Sequence, residues 1–87
     1  MGPVNEDIPS TSIEFALEET SHVELWIENA YQTRVITLVD EKRDAGVHTV
    51  SFDMVDSKGN RLPDGLYTYH LVSDSFSTSN TVVLFRY

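Results

Sequence analysis

Three histidines, His22, His48 and His70, are the side chains best suited to proton transfer or metal ligation near neutral pH. Ligands on strands must sit at i and i+2 on one face, or on neighbouring strands. No two of these histidines are sequence neighbours. His48 shares a face with Val50 and Phe52, which places it at the rim of a core with its ring hydrogen-bonded. The oxygen-bearing residues Asp53, Asp56, Asn60 and Asp64 crowd around two turns. Such a density of hard ligands can bind calcium. Yet no Asp-x-Asp-x-Asp-Gly loop is present, and Asp and Asn close turns with their own side chains. Turn formation is the reading adopted, and Asp53, Asp56 and Asp64 are the positions where weak calcium binding would be sought. Serine, histidine and aspartate all occur, but there is no Gly-x-Ser-x-Gly elbow and no glycine-rich phosphate loop. Paired carboxylates could hydrolyse glycosides only in a cleft deep enough to shift their pKa values, which a chain this small does not offer. The expectation is a non-enzyme with no catalytic residue, no metal and no cofactor. Trp26 points away from the Val23, Leu25 and Ile27 face. There it can stack on a sugar or anchor a partner, lie under a loop or cover a sheet edge. Tyr31 would widen such a patch.

The elements that must position these residues belong to one small domain. The chain has 87 residues, 40% of them apolar, enough for one core. Fourteen acidic residues against six basic ones give a net charge of −8. A phosphate backbone or an anionic membrane surface would be repelled, so nucleic acid and membranes are not expected partners. No apolar run is long enough to span a bilayer. The absence of cysteine removes disulfides, thiolate nucleophiles and zinc–sulfur sites together.

Residues 1–9, polar and proline-flanked, read as a linker, and residues 10–87 as the domain. The apolar residues then recur at period two. Ile13, Phe15 and Leu17 share one face; so do Val23, Leu25 and Ile27; so do Tyr67, Tyr69 and Leu71. Strands are predicted near 11–17, 22–29, 33–39, 47–53, 66–73 and 79–87, with a short one at 60–62. The last run, Thr81 to Tyr87, is apolar on both sides, with Val82 and Leu84 on one and Val83 and Phe85 on the other. Such a strand is buried on both faces or pairs with something outside the chain. Gly59 and Gly65 fall where turns need a positive φ. Short strands with turn signals about every ten residues indicate an antiparallel sandwich or barrel. Ile13, Phe15, Leu25, Ile27, Val35, Leu38, Val50, Phe52, Tyr67, Tyr69 and Leu71 are the expected core.

An ordered set of motifs runs from Ile8 to Arg86. It begins with Pro9-Ser10-Thr11-Ser12-Ile13-Glu14-Phe15 and Val23-Glu24-Leu25-Trp26-Ile27, followed by Val35 to Leu38. Ala45-Gly46-Val47-His48-Thr49-Val50-Ser51-Phe52-Asp53 comes next. Asp56-Ser57-Lys58-Gly59, Pro63-Asp64-Gly65 and Leu66-Tyr67-Thr68-Tyr69 complete the order. This pattern resembles the immunoglobulin-like C-terminal sorting domain of type IX secretion, and is similar to the immunoglobulin-like domain of the flagellar hook-capping protein. Four positions depart from it. Asn29 and Gln32 stand where the family usually has Asp and Gly, Phe52 where it has Trp, and Met54 where it has Gly.

The resemblance implies an all-β, immunoglobulin-like or fibronectin III-like antiparallel sandwich of about seven strands. It also implies a secreted or cell-surface protein, extracytoplasmic, whose last domain is read by the translocation machinery. The partners it implies are secretion proteins or neighbouring domains of the parent protein. The candidate recognition element is the final hairpin, with Val83, Phe85 and Arg86 as partner contacts beside Trp26. The alternative is an immunoglobulin-like spacer or binding module of a multidomain extracellular enzyme, adhesin or hook-cap protein.

Overall fold

The computed structural model describes residues 11–84, so the expected linker at 1–9 and the candidate contacts Phe85 and Arg86 lie outside the described residues. Six antiparallel strands are present among them: β1 (Thr11–Leu17), β2 (Ser21–Glu28), β3 (Arg34–Arg43), β4 (Gly46–Phe52), β5 (Gly65–Val72) and β6 (Ser77–Leu84). They form two sheets, β1-β4 and β3-β2-β5-β6. Each period-two run became a strand, because only alternation sets one apolar row against the facing sheet. About seven strands were expected and six are observed. The short strand expected at 60–62 is a single bridge, Val55 to Arg61.

The core lies between the sheets. Ile13, Phe15 and Leu17 of β1 and Phe52 of β4 meet Val23, Leu25 and Ile27 of β2, Val39 of β3, Tyr67 and Leu71 of β5 and Leu84 of β6. Met54 and Leu62 close it from the loop after β4. Full burial of such side chains stabilises by about 1.5–3 kcal/mol each. The Tyr67 hydroxyl donates to the Pro63 carbonyl at 2.6 Å. This is the tyrosine corner of immunoglobulin-like sandwiches, a bond from early in a strand back to the backbone just upstream. The architecture is thus an immunoglobulin-like β-sandwich.

Two expectations change on β3. It is four residues longer than expected at its C-terminal end, and Val39 is its buried residue, whereas Val35 and Leu38 are only half-buried. Leu25 pairs with Val39 but Trp26 with Thr37, and Ile27 pairs with Ile36 but Glu28 with Arg34. Leu38 and Val35 are therefore the extra residues of two bulges, and each bulge resets the alternation. Val50 and Tyr69 likewise pack at the margin of the core.

β6 is an edge strand and is not buried on both faces. Leu84 is buried, Val82 half-buried, and Val83 on the opposite face is 65% exposed.

Candidate partner-binding site

β6 pairs with β5 in unbroken register from Gly65↔Leu84 to Val72↔Ser77. Its sequence, STSNTVVL, holds no charge and no proline. Among the described residues no strand pairs with its other side, which is an edge of the four-stranded sheet. The opposite edge of that sheet, β3, carries both bulges and the charged residues Arg34, Asp40, Glu41, Lys42 and Arg43. Bulges and charges are how sheets blunt an edge against pairing. β3 is blunted in this way and β6 is not.

Trp26 stands on the outer face of the same sheet. Its ring is stacked on His70 of β5, with centroids 5.1 Å apart and planes at 16°. The Arg34 guanidinium of β3 lies 4.2 Å from the ring centroid. Since β5 and β3 flank β2, the indole is clasped from both neighbouring strands and half-buried. Its Nε1–H donates to Glu28 Oε2 at 2.8 Å. Glu28 Oε1 is 3.1 Å from His70 Nε2, and Arg34 also reaches Glu24 at 2.9 Å. The indole N–H, above all, holds the Glu28 carboxyl below the usual carboxylate range. Desolvation, the next largest effect, opposes it, and the charges of His70 and then Arg34 add to the lowering. Trp26 therefore presents no bare ring for stacking; it is one member of an internal polar–aromatic ladder.

The other histidines are scattered. His22 bonds Asp40 at 2.7 Å. His48, half-buried at the core rim, stacks on Phe15 and donates to the Asp44 carbonyl. Asp56 closes its turn, with Oδ1 accepting the backbone N–H groups of Lys58 and Asn60 at 2.9 Å each. These bonds, the Asn60 one foremost, lower its pKa. Among the described residues no three His, Asp or Glu side chains gather as a metal ion would need.

Sequence reading missed an apolar hollow of about 390 Å³ at one end of the sandwich. It lies between the β2–β3 turn and the 62–66 corner, with Tyr31, Val35, Leu62, Pro63, Leu66 and Tyr67 in its wall. Tyr31 is 88% exposed and Leu66 53% exposed. Leu66 pairs with Val83 across the ladder. The sequence showed residues 62–65 only as a turn; the one available signal was Leu66, apolar but out of phase with Tyr67, Tyr69 and Leu71.

The β2–β3 turn holds its shape through Asn29, whose Oδ1 accepts the Tyr31 and Thr33 N–H groups. Gln32 has φ 67° and Met54 φ 63°. Both are positions where the resembled families usually have glycine, and the backbone keeps the glycine-type conformation without it.

The family described as the FlgD Ig-like domain matches the chain over residues 5–76. No curated protein and no solved structure matches it.

Proposed function

The chain belongs to the FlgD Ig-like domain family, and from that membership and the open edge of β6 we propose that it is a non-catalytic sorting or attachment module of an extracytoplasmic protein. The observation that carries the proposal is an uncharged, unbulged edge strand of eight residues in a sheet whose opposite edge is blunted. An extended segment of the translocation machinery adds to β6 as a further strand. Backbone bonds supply affinity, and side chains near Val83 supply selectivity. The rest of the sandwich holds the hairpin rigid; Ser21 Oγ, for example, accepts the Asp74 N–H of the β5–β6 turn at 2.9 Å.

The test fuses the domain to a periplasmic reporter in a bacterium with type IX secretion. The double substitution Ser79→Lys with Thr81→Lys charges the edge and leaves the core side chains in place. The expected result is reporter at the surface with the parent domain and retained with the variant. Equal surface delivery by both would refute docking at β6. Retention of both, with the domain shown to be folded, would favour the second reading: a structural spacer in a multidomain or hook-cap-like assembly. Family membership is what speaks for that reading.

A further inference from the structure

We propose that the outer face of the four-stranded sheet holds a binding site for a neutral sugar ring, built on the paired row Glu28, Thr68 and Thr81. The reading is independent of strand addition at β6. Glu28 of β2 pairs with Thr68 of β5, and Thr68 with Thr81 of β6. Residues directly opposite each other share a face. A carboxylate and two hydroxyls therefore stand side by side across three strands, about 4.8 Å from one strand to the next. A second, smaller hollow of about 270 Å³ is lined by this row. His70 is in its wall, and the β2–β3 turn contributes Asn29 and Gln32. Leu66, largely exposed, and Ala30 supply its apolar part.

The polar groups are held in place before any ligand arrives, which lowers the cost of binding. Glu28 Oε2 accepts the Trp26 Nε1–H at 2.8 Å, and Oε1 lies 3.1 Å from His70 Nε2. The carboxylate is thereby fixed, and each oxygen keeps a lone pair for a hydroxyl donor. Such charge-assisted bonds are the stronger kind. Asn29 spends its Oδ1 on the Tyr31 and Thr33 N–H groups, which leaves its NH2 to donate. The Thr68 and Thr81 hydroxyls can both donate and accept. A sugar ring offers the matching set: adjacent hydroxyls that donate and accept, and C–H groups to lie on Leu66. Charge narrows the class further. Neither lysine nor arginine lines the hollow, so an anion meets Glu28 and a net charge of −8. A cation gains little, because His70 and Arg34 already attract the Glu28 charge. A flat aromatic ligand needs a bare ring to stack on, and Trp26 is covered by His70 and Arg34.

Trp26 is the chain's one tryptophan and would share the Glu28 carboxylate with the ligand, so its emission reports binding. The test titrates the whole chain, 15N-labelled, with methyl glucoside, N-acetylglucosamine and cellotriose, and with glucuronate and glucosamine as charged counterparts. At least one neutral sugar is expected to shift the amides of Ala30, Thr68, His70 and Thr81 and to change the Trp26 emission. Glucuronate should bind at least about tenfold more weakly, and glucosamine no more tightly. Thr81→Val keeps the β-branched shape and should weaken binding about two- to tenfold. Glu28→Gln should weaken it about tenfold or more. Thr49→Val, on the exposed side of β4 in the other sheet, should leave binding unchanged. Equal binding by the parent and both hollow variants, or tighter binding of glucuronate than of any neutral sugar, would overturn the proposal. So would unshifted amides at these positions with every neutral sugar at about 0.1 M, which saturates a site of millimolar affinity. Each of these failures leaves strand addition at β6 standing, because the reporter fusion tests that separately.

Discussion

Gln32 and Met54 hold the left-handed backbone with side chains that do not favour it. The cost of a Cβ in that region is about 1–2 kcal/mol. Gln32 is exposed, so Gln32→Gly removes the strain without opening a cavity. It should stabilise the domain by about 0.5–1 kcal/mol after the extra chain entropy of glycine is subtracted. Met54 is buried, and Met54→Gly should destabilise, because lost packing exceeds relieved strain. Chemical denaturation of the two variants checks both signs. Phe52, in the middle of the core, tests packing alone: Phe52→Ala should cost about 3–5 kcal/mol, most of the stability of a domain this size. Glu28 tests electrostatics. Its pKa is lowered in the folded state. Its contribution is therefore present above the unfolded carboxylate value, about 4.3, and is lost as pH falls through the lower folded value. The melting temperature of Glu28→Gln should decline less steeply than that of the parent below about pH 4.3. At this scale the sequence showed the turn aspartates and the buried aromatic. It hid the Trp26 clasp, because His70 and Arg34 are brought to Trp26 only by strand pairing.

Strands were legible wherever alternation ran unbroken. β1 was placed from Ile13, Phe15 and Leu17, and β2 from Val23, Leu25 and Ile27. β3 was legible in existence but not in phase. Leu38 and Val35 are each an extra residue against β2, and no local sequence signal marks a bulge that lacks glycine. The corner before β5 was legible through Pro63 and Gly65. Gly65 has φ 152° and Gly59 φ 85°, and a Cβ at either would meet no atom within 4 Å. Conformation alone therefore separates them. Asparagine tolerates the ordinary left-handed region near Gly59, so Gly59→Asn should cost under about 1 kcal/mol. The backbone at Gly65 lies farther out, so Gly65→Asn should cost about 1–3 kcal/mol. It should also perturb the β5–β6 register that starts at Gly65↔Leu84. Melting temperatures give the costs, and amide exchange along β6 reports the register.

For the whole molecule, the fold class followed from period and turns. The distribution of strands, two facing four, did not, because it depends on which connections cross between sheets. Nor did the hollow, which exists only where the β2–β3 turn and the 62–66 corner approach each other. The acidic composition gives one molecular prediction. Asp56 is committed to backbone N–H groups, so excess calcium and a chelator should give the same melting temperature within about 1 °C; a rise of several degrees with calcium would mark a bound ion. The strand order also has a mechanical side. β1 runs antiparallel to β4, and β6 runs antiparallel to β5, in separate sheets. Following the chain reversals, the start of β1 and the end of β6 come to the same end of the sandwich, beside the hollow. Tension applied between Thr11 and Leu84 therefore does not load a ladder along its length. It opens the terminal pairs Thr11↔Phe52 and Gly65↔Leu84 and then the next, as a zip opens, one rung at a time. A module of this kind resists solvent and heat through its core yet yields to a modest pull. In an optical trap it should unfold at low force, by rung-by-rung opening from the pulled residues rather than by shear of either sheet.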